Sequence, residues 1–355
     1  MKRIAFFQND LGVGGIQKSI VNLLRNLDYG RFQVDLYLSK KTEQPLPDFP
    51  TKLNVRYLPS IPRLYSFLPF DLAKKLVRLD FPQGADYDLA VDFNSYQFSC
   101  AAGALTVPAK KRVMWIHNDV GIKLQNEWKY RVLWNAFKGK FKYYDAFVPV
   151  SRALIEPFQR ASGVGDKPFY PMPNYIDVGE IRQKAKEDCP ELELDEKCLN
   201  LVALGRLCHQ KGYDIMLDSF AEASRQREDL RLFIIGDGPE RQALEEQREK
   251  LGLTDKVCFL GSQPNPYRFL ARMDVLLSTS RYEGQGMNIM EAWVVGLPVI
   301  CPKHLEQYID GLEGCEDLVS ALVSARKTER RPDDLAEYNG RILETFAALA
   351  GEEKS

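Results

Sequence analysis

Short apolar runs, each followed by a turn rich in Gly, Asn or Asp and then by residues at helical spacing, recur along the whole chain, and this alternation limits what it can fold into. The runs fall at residues 4–7, 34–38, 55–58, 89–93, 112–116 and 147–150, and again at 199–204, 230–235, 257–260, 275–278 and 299–300. Strands buried on both faces read as unbroken apolar runs, and helices between them cover the faces of a parallel sheet. The pattern predicts an α/β architecture. Between the two series lies a break containing Gly163, Gly165, Pro168, Pro171, Pro173 and Asn174, so two domains are expected, over residues 1–172 and 173–331, followed by a terminal helical segment over 332–355. With 355 residues and 45% apolar content, the chain is large enough for two cores. Pro298 restricts the last run to an edge or the start of a strand.

Three stretches carry chemistry. The first, LVALGRLCHQK at 201–211, reads as a strand opening into a loop with Gly205, Arg206 and Lys211, and the next strand is followed by GDGPE with Gly236 and Gly238. The second, RYEGQGMNIME at 281–291, sets Glu283 in a loop and Glu291 in a helix, with Gly284 and Gly286 between them. Fixed cations on one side and carboxylates on the other suit a ligand with an anionic diphosphate and hydroxyl-rich ends; the same two carboxylates also suit the acid and nucleophile of a glycosidase. In the third, residues 4–7 pass through Asn9 and Gly12, Gly14 and Gly15 into a helix marked by Ile16, Ile20, Leu23, Leu24 and Leu27, whose N-terminus would present free N–H groups to an anion. These glycines match a dinucleotide fingerprint loosely, and a nicotinamide or flavin site, a structural turn and a turn lining a cleft all fit. His117, one of three histidines, closes the run 112–116, where open α/β sheets place ligand-contacting residues; a structural hydrogen-bonding role is the alternative. His209 and His304 stand at no recognised ligand spacing, so no metal site is expected.

Taken in order, GR with KG, GDGPE, EGQGMNIMEA at 283–292 and GLPVI at 296–300 resemble the C-terminal half of a retaining GT-B glycosyltransferase of family 4, and GVGGIQKS at 12–19 resembles its opening loop. The resemblance spans nearly the whole chain. It implies two Rossmann-like domains with parallel sheets facing across a cleft, the first on the acceptor side, the second binding a nucleotide sugar, and a terminal helix packing back on the first. It implies transfer from a nucleotide diphosphate sugar, most often a UDP-sugar, to a lipid-linked glycan or other cell-envelope acceptor. Carried over residue by residue, His117, Glu283, Arg206 and Lys211 take catalytic roles, and Gly15, Gly205, Gly236, Gly238, Gly286, Met287, Asn288 and Glu291 join them in holding the donor. Asn9, Gly14, Gly15 and Asn118 face the acceptor. No cofactor and no divalent ion are expected, because Arg206, Lys211 and backbone N–H groups would take up the charge of the leaving diphosphate. Three features depart from the family pattern: Gln285 stands where an aromatic residue is frequent, Asn288 where proline is, and CPKH at 301–304 where small or acidic residues are usual. A glycosyl phosphorylase or nucleotide-sugar epimerase of related fold, and a non-catalytic nucleotide-binding partner of another transferase, are the alternative readings.

Charge separates the halves. The chain has 48 basic and 49 acidic residues, but residues 1–170 hold 25 Lys and Arg against 15 Asp and Glu, leaving 23 against 34 for the remainder. A basic first half suits anionic lipid, nucleic acid or an acidic acceptor. Residues 59–79 mix Leu64, Tyr65, Phe67, Leu68, Phe70, Leu72, Leu76 and Leu79 with Arg63, Lys74, Lys75 and Arg78; prolines break the first part, and the second reads as a short amphipathic helix, either covering a sheet or lying at a membrane interface. Residues 128–144 interleave Trp128, Trp134, Tyr143 and Tyr144 with Lys129, Arg131, Lys138, Lys140 and Lys142; no nucleic-acid module accompanies them, so no nucleic-acid partner is expected, and a basic surface on the acceptor or membrane side is the other reading. The seven cysteines, without CxxC spacing, read as buried thiols of a reducing compartment. No signal peptide is visible and the longest nearly apolar run, 100–109, is too short to span a bilayer, so the expected location is cytoplasmic, with peripheral contact at the inner face of an anionic membrane.

Overall fold

The computed structural model describes residues 1–12, 14–41, 45–94 and 96–351. Val13 of the opening glycine loop, residues 352–355 of the expected terminal segment, and the side chains of Arg63 and Lys129 lie outside what is described. Two compact units are present, one of Met1–Tyr175 with Glu337–Ser355, the other of Ile176–Ala336.

The first unit contains β1 (Lys2–Gln8), α1 (Gly15–Asn26), β2 (Phe32–Leu38), β3 (Leu53–Tyr57), α2 (Phe70–Leu76), β4 (Tyr87–Asp92), α3 (Phe98–Thr106), β5 (Ala109–Ile116), α4 (Val120–Asn126), α5 (Trp128–Phe137), β6 (Ala146–Pro149) and α6 (Ile155–Ser162). All six strands are parallel, in the order β3-β2-β1-β4-β5-β6. The order reverses between β1 and β4, which opens a crevice beyond their carboxyl ends. β1 has a neighbour on each side and is buried from Ile4 to Gln8, which is why it reads as an apolar run. Its alternate residues serve opposite faces. Phe7 stacks on Tyr37 at 4.9 Å, within a cluster that includes Cys100 and Ala104 of α3. On the other side Phe6 stacks on Phe346 of the last helix, Ala336–Leu349, at 5.8 Å, and Lys111 Nζ donates to the Leu349 carbonyl at 3.3 Å.

The second unit contains α7 (Val178–Ala185), β7 (Leu199–Leu204), α8 (Tyr213–Gln226), β8 (Leu230–Ile235), α9 (Arg241–Lys250), β9 (Val257–Gly261), α10 (Tyr267–Leu270), β10 (Val275–Leu277), α11 (Met287–Val294), β11 (Val299–Ile300) and α12 (Leu318–Ser324), and the last helix is α13. Its parallel sheet runs β11-β10-β7-β8-β9, with the Pro298-preceded β11 at the edge. Leu199, Leu201 and Ala203 of β7 and Leu230, Leu232 and Ile234 of β8 pack against Met216, Leu217 and Phe220 of α8 and against Leu322 of α12.

Two expectations need correcting. The cysteines are all free thiols, but Cys258 is exposed and Cys208 and Cys315 are half-buried, because the apolar runs that hold them end at the sheet's edge or in loops. Lys140 is not part of a basic surface: a 3₁₀ turn over Lys138–Tyr143 folds it inward, where its Nζ lies 3.6 Å from the buried carboxylate of Asp92, which also accepts from Tyr144 Oη at 2.6 Å. Burial pushes the Lys140 ammonium down, opposed by that carboxylate. Among the described residues no helix is long and apolar enough to cross a membrane.

Candidate active site

In the second unit, β10, β7 and β8 are neighbours and parallel, so the three loops at their carboxyl ends converge. Two of these loops extend the sheet's own hydrogen bonding: Gly205 N–H donates to the Ile235 carbonyl at 3.0 Å, Leu207 N–H to that of Asp237 at 3.0 Å, and Glu240 N–H to that of Leu207 at 3.1 Å. The approach is so close that a Cβ on Gly236 would lie 1.9 Å from the Gly205 oxygen. That closeness accounts for a glycine at Gly236.

The loops after β7 and β10 are joined by side chains. Arg281 forks onto Asp214 with bonds of 2.8 and 2.5 Å and reaches the His209 carbonyl at 2.9 Å, while its own N–H donates to the Gln210 carbonyl at 2.8 Å. The guanidinium holds the Asp214 carboxyl below its ordinary range. Gln210 Nε2 donates to the Tyr282 carbonyl at 3.2 Å, and Tyr213 Oη to that of Gly205 at 3.1 Å.

Held by this frame, Lys211 Nζ lies 2.6 Å from Glu283 Oε1, and the same oxygen accepts from Ser280 Oγ at 2.6 Å. His304 donates through Nε2 to the Ser280 carbonyl at 2.8 Å, which fixes the residue that fixes Glu283. The side chain of Glu283 is 6% exposed and that of Lys211 20%, so the charges are desolvated enough to attract strongly. The cation and carboxylate expected on opposite sides of a ligand are instead paired with each other. Arg206 is exposed and forms no ion pair or hydrogen bond among the described residues. Gly286, at φ +72°, is the N-cap of α11, and no side chain caps that helix, so the first N–H groups, of Met287 and Asn288, are open to an anion. Asn288 Nδ2 donates to the Leu204 carbonyl at 3.1 Å, while its buried Oδ1 accepts no hydrogen bond. Glu291 is buried on the same helical face as Met287 and Asn288, one turn on. Gly238 sits against the Leu207 backbone in the neighbouring loop. Among the described residues no group of three or more His, Cys, Asp or Glu could hold a metal ion.

In the first unit, the loop after β1 is organised by a residue that the motif reading did not name. Asp10 accepts from Asn9 Nδ2 at 2.5 Å, from the Gly12 N–H at 3.1 Å and from Gln17 Nε2 at 3.1 Å. Its signal was legible as an aspartate two residues before a glycine, the pattern of an Asx turn. Gly14 is the N-cap of α1, Gly15 begins the helix, and no side chain caps it. Next to β1 and β2 opens a cavity of about 860 Å³, lined by Asn9, Ser39, Lys40, Tyr96, Gln97, Ser99, Phe67, Trp128 and Val132 among others. Asn9 lines it; Gly14, Gly15, His117 and Asn118 do not. The residues at 96–99 carried no motif and those at 128–133 only the start of the aromatic and basic run, and the packing of α5 and the 3₁₀ turn Arg63–Phe67 brings them to one place.

His117 is buried and donates through Nε2 to the Phe93 carbonyl at 2.8 Å, since a carbonyl can only accept. Burial pushes its pKa down to about 4, against a smaller rise from that hydrogen bond. The ring is neutral at pH 7, with Nδ1 left as an acceptor. A depressed folded-state pKa means that its contribution to stability is present above the ordinary 6.5 and is lost as pH falls toward about 4. Over that window the wild type is expected to lose about 3 kcal/mol more than His117→Asn in pH-dependent melts; parallel curves for the two would overturn this account.

The chain matches the family Glycosyltransferase Family 4 over residues 13–180 and the family Glycosyl transferases group 1 over residues 185–308. It is 26% identical over 309 residues to N-acetylgalactosamine-N,N'-diacetylbacillosaminyl-diphospho-undecaprenol 4-alpha-N-acetylgalactosaminyltransferase of Campylobacter jejuni, covering 86% of this chain and 81% of that one. It is 34% identical over 113 residues, 32% of each chain, to the lipopolysaccharide core biosynthesis glycosyltransferase LpsD of Rhizobium meliloti. In fold it is similar to Anabaena HepE in complex with UDP, at a TM-score of 0.62 and 18% identity over 99% of this chain and 94% of that one. WaaG, a glycosyltransferase involved in lipopolysaccharide biosynthesis, is similar at 0.61 and 16% over 99% and 96%. With two parallel α/β units, a family match that runs through both and glycosyltransferases as its relatives, the chain belongs to glycosyltransferase family 4 and is a glycosyltransferase of the GT-B fold.

Proposed function

We propose that this enzyme transfers a sugar, with retention of anomeric configuration, from a UDP-sugar to a lipid-linked glycan, working at the inner face of a membrane. The observation that carries the donor side is the Lys211–Glu283 pair at the carboxyl edge of β7 and β10, beside the open N-terminus of α11. In this reading Lys211 and Arg206 meet the diphosphate, the Met287 and Asn288 N–H groups meet its oxygens, Glu291 meets the ribose hydroxyls, and Glu283 orients Lys211 and the sugar. The bond from the anomeric carbon to the diphosphate breaks, the acceptor oxygen bonds to that carbon on the same face, and its proton passes to the departing phosphate. Contacts to that phosphate strengthen as charge develops, so they favour the transition state over the bound donor. Support for UDP comes from the ligand of the similar Anabaena structure, and support for an α-linked product on a diphospho-undecaprenol acceptor from the printed activity of the Campylobacter relative. The cavity beside Asn9 supports an acceptor site in the first unit.

The test is calorimetric binding and slow hydrolysis of UDP-, GDP-, ADP- and CDP-sugars, with EDTA and then with magnesium, followed by NMR of the product formed on a polyprenyl diphosphate glycan. Selective binding of one UDP-sugar, turnover that persists in EDTA, and an α-linked product are expected. Preference for another base, an absolute metal requirement, or a β-linked product would each overturn the corresponding part.

A further inference from the structure

The exposed large apolar side chains are not scattered. Of the eleven among the described residues, seven lie on three adjoining segments: Leu64 and Phe67 on the 3₁₀ turn Arg63–Phe67, Leu72 and Leu76 on α2, and Trp128, Val132 and Tyr143 on α5 and the 3₁₀ turn that follows it. Leu64 and Trp128 are each 68% exposed and Val132 60%, values at which an isolated globular surface leaves few residues of this size. These segments form one surface. The 3₁₀ turn packs against α5, and α2 against the turn Lys138–Tyr143. Asp71 clamps the second contact, accepting from Lys142 Nζ at 2.7 Å and from Tyr143 Oη at 2.6 Å, with Lys74 Nζ 4.4 Å from the Tyr143 ring centre.

Basic groups surround the apolar residues. Lys75, Arg78, Arg131 and Lys138 are exposed, and with the inward-turned Lys140 set aside residues 61–80 and 128–144 together hold eight Lys and Arg against two Asp, one of which is the paired Asp71. A protein partner would be expected to answer an apolar patch with shape and with balanced charge; an apolar face rimmed by cations of one sign matches an anionic leaflet, where the side chains enter the acyl boundary and the cations stay among the headgroups. The cavity adds a direction. Phe67, Trp128 and Val132 belong to both the patch and the cavity wall, whereas Asn9, Ser39 and Gln97 line its polar interior.

We infer that this face of the first unit docks on an anionic bilayer, with the cavity mouth at the level of the headgroups, so that an amphiphile enters by its polar end while its chain remains in the membrane. The inference rests on the reading of a lipid-linked acceptor. Both halves were legible as separate basic and aromatic stretches, at 59–79 and 128–144; tertiary packing joined them into one face.

The test uses the full chain and vesicles of phosphatidylcholine with or without phosphatidylglycerol, with UDP binding measured on the same preparations. Sedimentation with the anionic vesicles alone, weakening as salt is raised, is expected. The variant Leu64→Ser/Leu72→Ser/Leu76→Ser, whose sites lie outside the cavity wall and the donor loops, is expected to lose at least about tenfold in partitioning while binding UDP as the wild type does. Lys75→Glu/Arg78→Glu gives a second, purely electrostatic variant with a loss of similar sign. Wild-type protein that binds UDP but stays in solution with anionic vesicles overturns the inference and leaves the donor reading intact. Vesicle binding without UDP binding supports the surface and overturns the donor reading. A dimer in solution that both variants dissociate, or variants that partition like the wild type, would assign the face to a second copy or to nothing, and the inference would fall.

Discussion

Lys211→Ala is expected to lower kcat/KM for the sugar donor by about a thousandfold, or about 4 kcal/mol of transition-state stabilisation. The ammonium lies in a partly desolvated loop, 2.6 Å from Glu283, where a charge acts far more strongly than in water. A leaving diphosphate gains negative charge as its bond to the sugar stretches, and Lys211 is a compact cation on a frame tied by Arg281 and Asp214. Losing it also strands Glu283, buried with only the Ser280 hydroxyl as partner among the described residues, and breaking one side of a buried pair costs about 3–5 kcal/mol of stability. The two effects separate in Lys211→Ala/Glu283→Gln, where the stranded charge is gone. If Lys211 serves the phosphate, the double variant recovers its melting temperature but stays slower than Glu283→Gln alone, with the loss in kcat. Recovery of the rate along with the stability would reduce Lys211 to a counter-ion, and a near-normal rate in the single variant would remove it from the site.

Gly236→Ala is expected to destabilise the second unit by about 3 kcal/mol or more and to abolish donor binding. The added Cβ would sit 1.9 Å from the Gly205 oxygen and 2.9 Å from its carbonyl carbon, at φ +142°. Neither partner can retreat easily. Gly205 N–H is bonded to Ile235 and Gly236 N–H to Gly261 at 2.8 Å, so relief means opening the sheet at its carboxyl edge. Because two units need not unfold as one, the readout is amide hydrogen exchange in β7 and β8 rather than a single melting temperature. Gly179→Ala, whose nearest neighbour would be the Asp177 side chain at 3.6 Å in the first turn of α7, is the control and is expected to keep wild-type protection. Equal protection in both variants would show that the loops can part without cost.

The two parallel sheets were legible because their strands are buried on both faces, which writes each of them as an apolar run. Boundaries moved by up to three residues, as at β5, which starts at Ala109 rather than at 112 because its first residues, Ala109, Lys110 and Lys111, are less buried. Helices α3, α4 and α5 were not read. α3 is buried nearly throughout, from Phe98 to Leu105, and so carries almost no amphipathic stripe, while α4 and α5 are short and abut at Glu127. Near the site, the glycines and charged residues stood in recognisable order, but their supporting residues did not. Ser280 and His304 matter through one hydrogen bond each and Asp214 through its fork with Arg281, contacts that leave no period in a sequence.

By itself the sequence determined the class of fold, the family and the residue types offered at the carboxyl edges of the strands, because burial and turn chemistry act on near neighbours and repeat with the period of each element. Only the tertiary structure decided that Lys211 and Glu283, 72 residues apart, neutralise each other, that Lys140 turns inward to Asp92, and that Trp128 joins Phe67 at one cavity mouth. Those pairings depend on which loops the strand order brings together, and strand order is set by the packing of whole elements, which no local stretch encodes.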